Sequence, residues 1–192
     1  MIKLMIKHKD FWDVQQGIEN IKPRRTGDNW ESFSAPEVVR RLCGEGTVSD
    51  VGCGTGRMSA VFDYLDYAGY DLNPTAIEIA KESFPGKLFQ VVHRYSGMLV
   101  CDTLLLHSAA LHIPDDELEA LFAYLPGKRI VIGETMHGHT HVKPNPKPGP
   151  ATHYSRSAED YAALLPGWDL VRTEMHLDKY SKKTFTYLVF EK

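Results

Sequence analysis

The sequence predicts an α/β fold: a mainly parallel, seven-stranded sheet with helices on both faces and an antiparallel pair of strands at its carboxyl end. Three observations predict it. Short β-like runs alternate with helical ones through the middle of the chain, a glycine-rich turn joins the first of those strands to a helix, and the last two β-rich runs are joined by a short polar link. Alternation of this kind requires right-handed crossovers, which place helices on both sides of a parallel sheet. A short link, by contrast, joins antiparallel neighbours.

The elements follow in order. The run Ser34-Ala-Pro-Glu-Val-Val-Arg-Arg-Leu42 has a capping Ser, a Pro inside the first turn and apolar residues at helical spacing, which predicts a helix leading into the core. Strands are expected at 47–51, 67–71, 88–92, 102–107 and 128–133, with helices at 56–65, 74–84 and 115–125 between them. A helix at 157–165 then precedes strands at 168–176 and 184–191. The stretch 134–155 holds so many Pro and Gly residues that it is expected to form a long functional loop without regular structure. The expected organisation is an N-terminal segment, 1–33, that covers the site, and one domain over 34–192.

Composition narrows the function. The 192 residues are 43% hydrophobic, enough for the core of one domain. Twenty-two Lys and Arg against 25 Asp and Glu give a net charge of -3, so no global positive field attracts a phosphate backbone. Cys43, Cys53 and Cys101 lack paired spacing, which argues against a disulfide framework or a zinc knuckle. No stretch approaches the ~20 apolar residues of a membrane span, and the first residues lack the apolar run of a signal peptide. A cytoplasmic protein is expected.

The strongest local signal is Val48-Ser-Asp-Val-Gly-Cys-Gly-Thr-Gly-Arg57. Glycines at 52, 54 and 56 permit a tight turn and let backbone approach a ligand at the mouth of the following helix. The dinucleotide fingerprint G-x-G-x-x-G fails here, because Arg57 stands where its last glycine would be. Asp50 also offers no advantage to a pyrophosphate, and favours a cationic ligand. Further on, Tyr70-Asp71-Leu72-Asn73-Pro74 places an acid at the end of the second strand.

These two motifs resemble those of the class I S-adenosylmethionine-dependent methyltransferases, a Rossmann-like, seven-stranded family whose first motif reads acidic-x-Gly-x-Gly-x-Gly. The resemblance covers roughly Ser34 to Leu125. It implies that the glycine turn lies beneath the cofactor, that Asp50 helps to hold the ammonium end of its methionine part, and that Asp71 meets the ribose. S-Adenosyl-L-methionine is thus the implied cofactor, with Asp50, Gly52, Cys53, Gly54, Thr55, Gly56, Asp71, Leu72 and His93 as its expected contacts. Two departures matter. The acid that often meets the adenine amino group after strand three is missing from Val91-Val92-His93-Arg94-Tyr95, and the motif of the nucleic-acid amino methyltransferases is replaced by Leu106-His107-Ser108-Ala109-Ala110. The second departure argues against methylation of a base amino group.

His107 stands at the carboxyl end of strand four, where open α/β sheets bind ligands, and it is the expected catalytic residue. An imidazole with an ordinary pKa near ~6.5 could take a proton from an attacking oxygen or nitrogen, or it could only line the pocket. His112 is read as a helix-entry residue. His137, His139, His141 and His153 raise the question of a metal, but the loop has no Cys and only Glu134 as a nearby acid, so no metal site is assigned. Tyr154 and Arg156 are either substrate contacts or neighbours of a Ser cap. Trp12, Trp30, Arg24 and Arg25 could wall the site or be an apolar anchor with solvated charges. The expected function is methyl transfer to a small molecule. The alternatives are an RNA or protein methyltransferase and a non-catalytic cofactor-binding regulator or scaffold subunit.

Overall fold

A computed structural model describes residues 36–63, 66–93, 97–124, 127–136, 141–143, 153–178 and 183–192. Its elements in chain order are α1 (Pro36–Cys43), β1 (Val48–Val51), β2 (Tyr67–Asp71), α2 (Pro74–Ser83), β3 (Leu88–Val91), β4 (Thr103–His107), α3 (Asp115–Tyr124), β5 (Arg129–Glu134), β6 (His141–Lys143), β7 (His153–Ser155), α4 (Ala158–Ala163), β8 (Asp169–Leu177) and β9 (Thr184–Glu191). Seven strands form one sheet in the order β3-β2-β1-β4-β5-β9-β8. β1 to β5 run parallel, whereas β9 is antiparallel to both β5 and β8. Strand order reverses between β1 and β4, so the carboxyl ends of those two strands flank a topological switch point.

Strand parity builds two cores, one on each face of the sheet. Leu104 and Leu106 of β4, Ile130 and Ile132 of β5, and Leu188 and Phe190 of β9 pack on one face with Leu118 and Leu121 of α3 and Tyr161 of α4. Leu105, Val131, Tyr187 and Val189 pack on the other with Val39 and Leu42 of α1 and Ile77 and Ala80 of α2. The same parity carries beyond the apolar runs. His107 continues the face of Leu105, and Glu134 continues the face of Ile132.

Two expectations are corrected. The helix expected at 56–65 is a single 3-10 segment, Arg57–Val61, closed by the bonds from Ser59 N to Gly56 O and from Phe62 N to Ser59 O. Its N-cap is Gly56, which supplies no capping side chain, and its C-cap is Phe62 in extended conformation, whose ring stacks on Tyr67 at 5.5 Å. The second correction concerns the loop expected at 134–155. It contains an antiparallel pair, β6 with β7, in the register His141↔Ser155, Val142↔Tyr154 and Lys143↔His153.

The helix caps agree with their sequence signals. Asn73 Oδ1 accepts from Thr75 N and Ala76 N at the start of α2, and Ser157 with Asp160 forms a capping box on α4. Among the described residues no helix is long and apolar enough to cross a membrane. The segment 1–33, with Trp12, Arg24, Arg25 and Trp30, lies outside the described residues, as do His137 and His139.

Candidate active site

The glycine turn leaves β1 with Gly52, Gly54 and Gly56 all in the left-handed region, at φ of 77°, 55° and 79°. An L side chain is disfavoured there by roughly 1–2 kcal/mol. Gly52 is required for a second reason: a Cβ at this position would lie 2.5 Å from Ala109 Cβ, in the segment after β4. The turn is fastened to β2 by Gly52 N and Cys53 N, which both donate to Tyr70 O, at 2.8 and 3.1 Å. Thr55 is buried inside the turn, and Cys53 is half-buried with its thiol pushed up by burial.

Asp71 fixes the outer side of the same turn. Its Oδ2 accepts from Gly54 N and its Oδ1 from Asn73 N, each at 2.8 Å. The Leu72 amide also acts on the carboxylate, so backbone donors hold the pair of oxygens in place. Burial pushes the carboxyl up while the surrounding amides oppose the shift. Leu72 beside it is half-buried, and His93, after β3, is exposed.

Asp50 is 2% exposed, and Tyr67 Oη donates to its Oδ2 at 2.6 Å. Burial raises the carboxyl to about 7, with Asp71 adding to the rise and the Tyr67 bond and Arg57 opposing it. Arg57 feels Asp178 as well as Asp50, and both acids sustain a guanidinium that burial would weaken. The acid and the arginine of the turn thus belong to one buried polar group beneath it.

His107 is buried, stacked on Phe185 at 5.2 Å, and hydrogen-bonded through Nε2 to Tyr187 Oη at 3.1 Å. Burial, and then the charge of Arg57, lower the imidazole to about 3, so it is neutral across the physiological range. Gly133 makes this pairing possible. A Cβ there would meet Tyr187 Cε1 at 2.4 Å, and the β5–β9 register sets Gly133 opposite Tyr187.

The residues after His107 adopt strained backbone. Ser108 has φ 57°, the one non-glycine residue with positive φ among those described, and its N–H donates to Gly133 O at 2.8 Å. Such strain costs on the order of 1–3 kcal/mol and collects at functional sites. Here it turns the chain so that Ala109 covers Gly52.

The structure thus brings Asp50, Gly52, Cys53, Gly54, Thr55, Gly56, Asp71 and Leu72 together at the β1–β2 end, with His107 across the switch point. Tyr67, Asp178, Tyr187 and Ser108 also belong to this region and were missed by sequence reasoning. Tyr187 needed the register of β9, Asp178 the path of the β8–β9 link, and Ser108 has no sequence signal. Arg156, by contrast, serves the interior: it bonds Asp115, Ala110 O and Ile113 O and packs on the Tyr154 and Tyr161 rings.

No protein-family model and no curated protein matches the sequence. Solved structures do match. The chain is similar to a structure solved for the conversion of a disulfide bond into a thioacetal group during echinomycin biosynthesis, with a TM-score of 0.68, 21% identity, and coverage of 96% of this chain and 92% of that one. It is similar to magnesium protoporphyrin IX methyltransferase from Synechocystis PCC 6803 with bound S-adenosylhomocysteine, with a TM-score of 0.66, 14% identity, and 99% of each chain covered. A third is 1,6-didemethyltoxoflavin N1-methyltransferase from Burkholderia thailandensis, with a TM-score of 0.66, 17% identity, and 86% and 81% covered. From the strand order, the glycine turn and these likenesses, the chain has the seven-stranded fold of the class I S-adenosylmethionine-dependent methyltransferases.

Proposed function

We propose that this protein binds S-adenosylmethionine over the turn from Gly52 to Gly56 and transfers its methyl group to a small-molecule acceptor. The observation that carries the reading is the Asp71 carboxylate, held beside the glycine turn by Gly54 N and Asn73 N. Two oxygens held side by side suit the two neighbouring hydroxyls of a ribose. When bound, the cofactor supplies a methyl group already activated on a sulfonium. The chain's residues then have to orient the acceptor and exclude water, and alignment of this kind is worth up to roughly 7–11 kcal/mol.

In this reading Asp50 supports the turn from below, through Tyr67 and Arg57, and does not present a free charge to the ligand. His107 lines the acceptor side as a neutral hydrogen-bonding group held by Tyr187 and Phe185. His93 borders the adenine side. Two of the similar structures are named for acceptors that are small molecules, a magnesium porphyrin and a toxoflavin precursor, which favours a small acceptor here.

The test is release of S-adenosylhomocysteine from S-adenosylmethionine over a library of small acceptors, with RNA and unfolded protein as further arms. Turnover on a small molecule supports the reading. Turnover on RNA alone, falling steeply with salt, would replace it with the nucleic-acid reading. Tight binding of the cofactor without turnover on any arm would make the protein a binding subunit.

A further inference from the structure

On the other face of β5 from His107, a cavity of ≈ 50 Å³ is bordered by Glu134, Met136, Tyr154, Ser155 and Tyr161. Two of these residues carry buried polar atoms without a hydrogen-bond partner among the described residues, Glu134 Oε2 and Ser155 Oγ. An unsatisfied buried polar atom costs about 1–3 kcal/mol, so two around one small cavity need an explanation. Glu134 is 2% exposed. Oε1 accepts from Leu111 N at 3.2 Å, and the Ala109 and Ala110 amides also act on the carboxylate. Arg156 does not satisfy Oε2, because its guanidinium is directed to Asp115, Ala110 O and Ile113 O.

A small group with two or more polar hydrogens would serve both atoms, and an ammonium would also neutralise the carboxylate in its ionised form. The space exceeds the roughly 10–15 Å³ that one water needs and admits a small polar group. The cavity also lies at the carboxyl edge of the sheet, beside the segment that covers Gly52, where such folds take their ligands. We propose that Glu134 and Ser155 form an anchoring subsite for a primary amino group of the methyl acceptor. This inference rests on the methyl-transfer reading for the identity of the amine's bearer, while the subsite itself is tested separately. Burial holds the Glu134 carboxyl up at about 8, so an arriving ammonium would displace a proton from it near neutral pH.

The probe is ethylammonium chloride, titrated at pH 7 into the full chain with and without S-adenosylhomocysteine, with sodium acetate and ethanol as controls. The readout is the methyl resonance of Met136. The expected result is a saturable shift with ethylammonium alone, accompanied by proton release that shows in calorimetry as a dependence on the buffer's ionisation enthalpy. Glu134→Gln keeps an oxygen for Leu111 N and should weaken ethylammonium by about tenfold or more, as loss of a hydrogen bond to a charged group does. Ser155→Ala should weaken it less and serves if the first variant does not fold. No saturable shift, or an equal response to ethanol or acetate, overturns the proposal and leaves a site for structural water only. Failure of S-adenosylhomocysteine to bind would count against the proposed function, and the titration without it would still decide the subsite.

Discussion

Replacing Asp71 by Asn is the most informative single change, because the structure gives both oxygens of this carboxylate defined partners. Gly54 N and Asn73 N each donate to it at 2.8 Å, from opposite sides. Asparagine has one oxygen, so whichever way the amide turns, its NH2 faces one of these two N–H groups. The loss of one acceptor and the new donor–donor contact should lower stability by about 1–3 kcal/mol. The ribose side loses its charge-assisted partner, which should raise the dissociation constant of S-adenosylhomocysteine by about 10- to 100-fold, or 1.5–3 kcal/mol. Calorimetry measures this on variant that circular dichroism shows to be folded. An analogue lacking both ribose hydroxyls separates the two effects, since its affinity should fall far less on substitution than that of the parent ligand. Unchanged affinity for the parent in folded Asp71→Asn, or an equal loss for the analogue, would refute the assignment of Asp71 to the ribose.

Three further outcomes are expected. Gly52→Ala combines left-handed strain at φ 77° with a Cβ 2.5 Å from Ala109 Cβ, and should cost about 2–4 kcal/mol in urea unfolding; an unchanged midpoint would contradict the close approach. Asp50 is held at about 7 against an ordinary 3.8, so its contribution to stability is present below pH 3.8 and is lost as pH rises through 7. Asp50→Asn lacks that loss, so its melting temperature relative to the parent should climb between pH 4 and 7, and a flat difference would show the carboxyl to be ionised in the fold. His107 is held at about 3, and its stability contribution is present above pH 6.5 and is lost only as pH falls through 3. Its Cε1 proton resonance should not titrate between pH 5 and 8, and a midpoint near 6.5 would restore it as a base for neutral pH.

Most of the sheet is legible in the sequence because each strand is a short apolar run between glycines or polar turns. β2 and β9 have the bounds that reading gives them, and the others differ by a residue or so at an end. The 3-10 segment at Arg57 was not legible, because the apolar spacing of 57–65 is helical while the missing cap and the turn of Phe62 into the core are settled by packing. For the site, Asp71 and the glycines carry local sequence signals. The neutrality of His107 and the burial of Asp50 depend on partners far along the chain, Tyr187 and Phe185 for one and Tyr67 for the other. Glu134 was noted only as an acid near a His-rich loop, since nothing local marks a side chain whose partners are the amides after β4.

The account stands or falls on the ligand of the glycine turn. Calorimetric titration of the full chain with S-adenosylhomocysteine and, separately, with NAD tests it most directly. The account predicts one S-adenosylhomocysteine bound per chain and no measurable heat from NAD, because Arg57 interrupts the dinucleotide pattern and Asp71 is set for a ribose beside a turn that carries no pyrophosphate site. Comparable binding of NAD, or no binding of S-adenosylhomocysteine by folded protein, would contradict it.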